Sequence, residues 1–164
     1  GFEDPSLVEA ADDAVAYVRR CGRPDGFQYQ ASARGGGTSS VRQGIGSLLG
    51  RLFGLAGPAR RAAERDVDLH LCAGTQTGHG QNAPFYYWYY ATRACWLRGG
   101  YAWAAWRSVL LEQLLRRQEE DGSWAPLHEE RIGGRRFSTS MAVLLLRLAL
   151  EEPPAYLGGD VEGF

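Results

Sequence analysis

At 164 residues and a net charge of −1, the chain is long enough for one domain with its own core, and it lacks the basic excess of a non-specific nucleic-acid binder. Hydrophobic residues make up 45% and charged residues 23%, the balance of a soluble globular chain, and no apolar run is long enough to span a membrane. All 18 basic side chains are arginine, and with no lysine both Schiff-base catalysis and a Walker-type phosphate loop are excluded.

Hydrophobic spacing predicts helices almost throughout. Asp4-Pro5 supplies a cap and a first-turn proline, and Val8, Ala11, Val15 and Val18 follow at helical intervals, giving a first helix over 5–21. Arg19 and Arg20 suit its C-terminal end. "GFQYQ" (26–30) alternates, but it is short and lies in a connection, so no strand is expected. Ser39 or Ser40 caps a second helix with Val41, Ile45, Leu48 and Leu52 on one face. Gly44, Gly46 and Gly50 weaken that helix, which means either close contact with a neighbour or a hinge. Gly57-Pro58 opens a third helix over 58–72. Asn82 caps a fourth, with Pro84 in its first turn and Gly99-Gly100 at its end. A fifth runs from Tyr101 to Glu120, and Ser138 caps a sixth whose run "MAVLLLRLAL" (141–150) should be buried on most sides.

Asp25-Gly26 and Asp121-Gly122 each follow a helix, precede an aromatic and lead through a loop into another helix. A further glycine-rich link, "CAGTQTGHGQNAP" (72–84), lies midway between them. The expectation is an all-α fold of three stacked helical hairpins (5–54, 58–98 and 101–150) with a period of about 48 residues, then a tail over 151–164. Phe27 and Trp124 would fold back as apolar plugs. The chain opens on Gly1 and its only methionine is Met141, so it reads as a piece of a longer protein. Three widely spaced cysteines (Cys21, Cys72, Cys95) without a C-x-x-C pair favour a reducing compartment, with a location in the cytoplasm or peripheral to a membrane.

Gln118, Gly122 and Trp124 in "QEEDGSW" resemble the QW motif of squalene–hopene and oxidosqualene cyclases. "GGRRFSTSMAVLLLRL" (133–148) and "FYYWYYATRACWLRGG" (85–100) are similar to hairpins of bacterial proteins with prenyltransferase/squalene-oxidase repeats. The resemblance is to the α/α-toroid superfamily, which also contains protein prenyltransferase β subunits. It implies a partial toroid: three hairpins laid as an arc, with helices two, four and six inside. In the family the motif is structural, with the glutamine tying down a neighbouring helix end and the tryptophan packing beside it. Asp25, Gly26, Gln118, Asp121, Gly122 and Trp124 would carry that structural role here. It also implies that the missing half of a toroid, or a second copy, covers the exposed inner face.

No catalytic set of the family is complete. Asp12-Asp13 has neither the D-x-D-D acid nor the third aspartate of a D-D-x-x-D magnesium motif. No D-x-C zinc pair occurs, and along a helix His70 points about 200° away from Asp68. No metal or other cofactor is therefore expected. Six consecutive aromatics (85–90) cover a helix on every side. Either all of them pack between hairpins, or Tyr86, Tyr87, Trp88 and Tyr90 present a wall to an isoprenoid-like or other extended hydrophobic small molecule. Glycine-rich links beside Arg34, His79, Arg135 and Arg136 either let the chain cross one rim or gather an anion at helix N-termini. The chain thus reads as a repeat domain forming one wall of an apolar cavity. The alternatives are a non-catalytic protein-binding module, or a fragment of an active cyclase or prenyltransferase whose catalytic residues lie elsewhere.

Overall fold

A computed structural model describes residues 4–32, 39–72, 84–127 and 133–153. Helix α1 (Pro5–Cys21) starts as its sequence requires: Asp4 Oδ1 accepts the N–H of Ser6 at 3.0 Å, Pro5 occupies the first position, and Arg19 and Arg20 close the last turn. Two short strands follow where none was expected. Strand β1 (Gly22–Arg23) pairs antiparallel with β2 (Gly26–Phe27). Pro24 and Asp25 make the bend, and Gly26 accepts φ +128°. The pairing buries Phe27, whose backbone N–H donates to Gln43 Oε1 at 3.2 Å.

The remaining elements are α2 (Ser40–Leu52), α3 (Pro58–Cys72), α4 (Pro84–Arg98), α5 (Gly100–Arg116) and α6 (Gly134–Ala149). Ser39 caps α2. Helix α5 ends four residues short of the expected Glu120, because Gln118 and Trp124 form an antiparallel bridge around the Asp121-Gly122 turn. Helix α6 begins at Gly134, so Ser138 is not its cap. Its hydroxyl is buried and donates to the Trp124 carbonyl at 2.6 Å.

Among the described residues the protein is mostly helical, with one two-stranded sheet. Helix α4 packs on α2, α5 and α6, α2 packs on α3, and α3 touches α5. Helices α2, α4 and α6 therefore form a row, with α3 and α5 behind it. The main core lies between α4, α5 and α6, where Trp88, Trp106 and Trp124 are at most 2% exposed. A second, smaller core joins Cys21, Phe27, Leu55 and Ala63.

The three glycines of α2 are contact positions. A Cβ on Gly44 would meet the Tyr87 ring at 3.2 Å, one on Gly46 would enter the Phe27 ring, and one on Gly50 would meet Arg60 Cγ at 2.9 Å. Close approach on three sides, with no break in the helix, explains them without a hinge.

The two terminal helices are sparsely covered. Residues 4–14 of the α1 region are all exposed, and among the described residues α1 meets the small core through Val15, Val18 and Cys21 in its last two turns. Helix α6 is not buried on most sides. Its covered strip is Ser138, Ala142, Leu145 and Ala149, while Val143, Leu144 and Leu150 are 54%, 48% and 76% exposed. Among the described residues α6 packs on α4 and α5, and its far side is open, which its apolar sequence does not reveal.

Candidate functional site

The aromatic run of α4 divides into two faces. Phe85, Tyr87 and Trp88 are buried. Tyr87 sits against Gly44 and, edge to face, against Trp106 at 6.2 Å between centroids; the Trp106 indole N–H donates to Thr92 Oγ1 at 2.9 Å. Arg117 lies over the Trp88 ring at 5.8 Å. Tyr87 and Trp88 are therefore core, not wall.

Tyr86, Tyr89 and Tyr90 lie on the other side of the helix and are exposed or half-buried. The Tyr90 hydroxyl donates to the Tyr86 hydroxyl at 3.1 Å, and their rings meet edge to face at 4.9 Å. Tyr89 and Tyr90 meet likewise at 5.3 Å. The Arg93 guanidinium stands 5.9 Å from the Tyr89 ring centroid and donates to its hydroxyl at 3.4 Å. Partial burial and the Tyr86 hydrogen bond push the Tyr90 phenol up to about 12. Tyr86 and Tyr90 of the expected wall are thus joined by Tyr89 and Arg93, neither of which was among the expected wall residues. Spacing of three and four residues along α4 was the signal for them.

The turn around Trp124 does not have the arrangement that the QW resemblance implied. Trp124 is 2% exposed; its indole N–H donates to the Leu114 carbonyl at 2.9 Å, and its backbone N–H donates to Thr139 Oγ1 at 3.1 Å. With Ser138 on its carbonyl, the residue is fastened to both α5 and α6. Gln118 is exposed and donates to the Gly122 carbonyl at 3.1 Å, so it closes its own turn instead of a neighbouring helix end. Gly122 holds φ +82°, and the Asp121 carboxylate accepts from the backbone and hydroxyl of Ser123, which holds its pKa below the usual carboxylate value.

Of the expected anion rim, Arg34 and His79 lie outside the described residues. Arg135 donates to Ser123 Oγ at 2.7 Å and stands 3.8 Å from Asp121, while Arg136 is exposed. Arg135 already has a carboxylate beside it. Asp12 and Asp13 lie on the exposed side of α1.

Asp68 is engaged by Arg98, whose two terminal nitrogens reach its oxygens at 2.6 and 3.2 Å. Arg51 holds Glu64 at 2.9 Å in the same seam between α2, α3 and α4. Among the described residues no cluster of three metal-ligand side chains occurs. The Cys95 thiol is buried beside this seam, and burial pushes it up to about 12, far from a reactive thiolate.

The cavities among the described residues include two beside the C-terminal half of α1. One, of about 220 Å³, is mainly apolar and lies between α1 and α2, with Val18, Ile45 and Leu49 among its walls. The other, of about 330 Å³, lies between the end of α1, the β1–β2 turn and the start of α3, and three arginines line it: Arg19, Arg23 and Arg60. In the sequence Arg19 is marked only as a helix-end charge, and no local motif marks Arg23 or Arg60.

No protein-family model matches the chain, no curated protein matches it, and no solved structure matches it. No helix among the described residues is long and apolar enough to cross a membrane.

Proposed function

We propose that the chain is a helical-hairpin repeat unit of the terpene-cyclase and prenyltransferase kind, part of an arc, which offers a tyrosine face to an isoprenoid-like or other extended hydrophobic ligand. The observation that carries this reading is the edge-to-face set Tyr86, Tyr89 and Tyr90 on the open side of α4, the middle helix of the α2–α4–α6 row. Tyrosines satisfy their polar tips on one another and leave ring surface for apolar contact, which suits an extended hydrocarbon. On this reading the chain binds and any catalytic acid or metal ligand lies outside it, so it is not an enzyme alone.

The test is a titration with a water-dispersed isoprenoid alcohol, followed by tyrosine fluorescence and calorimetry. A Tyr86→Ala/Tyr90→Ala double variant should weaken binding about tenfold, the loss of two aromatic contacts. Affinity unchanged in that variant would sink the tyrosine face as the site.

A second reading, a protein-binding module, is favoured by the exposed apolar side chains on the first and last helices, Leu7 and Val8 on α1 and Leu144 and Leu150 at α6. The partner would be the other half of a toroid or a second copy. Native mass spectrometry separates the readings: assembly without ligand supports the partner, and ligand adducts on a monomer support the wall.

A further inference from the structure

The cavity of about 330 Å³ falls within the usual range of small-molecule sites. Its apolar side is formed by Phe27, Leu55 and Pro58, and its charged side by Arg19, Arg23 and Arg60. The charge on that second side is poorly balanced. Arg23 is pinned by backbone alone: one terminal nitrogen donates to the carbonyls of Arg20 and Gly22 at 2.9 and 3.1 Å, the other to the Ala31 carbonyl at 2.9 Å. These bonds fix its position but do not neutralise it. Among the described residues neither Arg19 nor Arg23 has a carboxylate within 4.0 Å. Arg60 has only a shared one: its Nε is buried without a hydrogen bond, 3.7 Å from a Glu64 oxygen that Arg51 already holds at 2.9 Å.

The backbone adds to the imbalance. The first turn of α3 carries no acid and two arginines, Arg60 and Arg61, at the positive end of the helix dipole, where acids are normally favoured. Gly50 of α2 is what lets the Arg60 stem lie in this position. A half-buried, fixed and uncompensated guanidinium is costly by itself and becomes favourable once an anion completes it.

We propose that this cavity binds a small organic phosphate, with Arg19, Arg23 and Arg60 facing the phosphoryl oxygens and Phe27, Leu55 and Pro58 holding a short apolar body. Two guanidinium groups without a carboxylate call for about two negative charges, which a phosphate monoester carries near neutral pH and a carboxylate does not. Planar arginine forks also match phosphoryl oxygens in pairs.

The experiment uses the whole chain with phenyl phosphate, inorganic phosphate and benzoate as probes. Calorimetry gives affinity, and amide chemical shifts locate the site. Phenyl phosphate should bind saturably and tighter than either other probe, shifting amides over 19–27 and 54–61. Arg19→Gln, on an exposed stretch of helix where folding is not at stake, should weaken it about tenfold, and Arg23→Gln at least as much. Arg136→Gln and the Tyr86→Ala/Tyr90→Ala variant should leave it unchanged, which keeps this site separate from the tyrosine face. The proposal is overturned by an absence of saturable binding, by benzoate binding as tightly as phenyl phosphate, or by equal affinity in Arg19→Gln and the parent chain.

Discussion

The Phe27 ring occupies the space in which a side chain at residue 46 would stand: a Cβ built on Gly46 would lie 2.7 Å from the ring's Cγ. One residue on a two-residue strand thus dictates a glycine in the middle of a helix. Gly46→Ala gains about 1 kcal/mol of helix propensity and loses about 1–3 kcal/mol to overpacking, so the variant should be less stable. Gly44→Ala, whose Cβ would meet Tyr87 at 3.2 Å, should be close to neutral. Urea unfolding of the two variants checks the order, and a stabilised Gly46→Ala would contradict the packing of Phe27.

Trp124 and Gln118 should separate sharply on mutation. Trp124→Ala removes a buried indole that bonds Leu114 and should cost about 3–5 kcal/mol. Ser138→Ala leaves the buried Trp124 carbonyl with one donor fewer and should cost about 1–3 kcal/mol. Gln118→Ala removes an exposed bond within a turn and should cost under about 1 kcal/mol. The motif resemblance alone would rank Gln118 with Trp124, so thermal melts of the three variants discriminate between the two accounts.

Raising the pH into the alkaline range should destabilise the protein. Burial raises Tyr87 well above 10, Tyr90 to about 12 and Cys95 to about 12. In each case the folded state favours the neutral form. That stability is complete below the ordinary values, 9.0 for the thiol and 10.0 for the phenols, and is lost as pH rises through the folded values. Denaturant midpoints should therefore fall between about pH 9 and about pH 12. A thiol reagent at neutral pH should leave Cys95 unmodified until the protein unfolds.

Asp68→Asn should lower stability by about 1 kcal/mol, because the Arg98 side chain is only 19% exposed and would lose its carboxylate, while Asp68 itself is 46% exposed and screened. Zinc should change the melting temperature of neither form if Asp68 acts as the partner of Arg98. A zinc-dependent rise present in the parent chain and absent in the variant would instead make Asp68 a ligand.

Local signals carried much of the fold. Asp4-Pro5 and the arginine pair gave α1 its limits, Gly57-Pro58 opened α3, and both Asp-Gly turns stand where the spacing put them, each followed within two residues by a buried aromatic. What the sequence hid depended on neighbours. Periodicity marks which residues share a face of α4, but α2 and α5 decide that the Tyr87 face is inside and the Tyr86 face outside. The apolar run of α6 reads the same whether one side is covered or all. Ser138 looks like a cap because caps and buried hydroxyls use the same residue types. The three-arginine cavity joins residues about 40 apart in the chain, and no local pattern links them.

The sparse cover of α1 has a consequence for isotope exchange. A 17-residue helix has little stability in water unless something packs on it, and among the described residues its last turns are the part packed in the small core. Deuterium should therefore enter the amides of residues 8–14 within the time of local opening, while those of residues 18–21 wait for the small core around Phe27 to come apart. One continuous helix would then report two separate clocks, with the boundary near Val15.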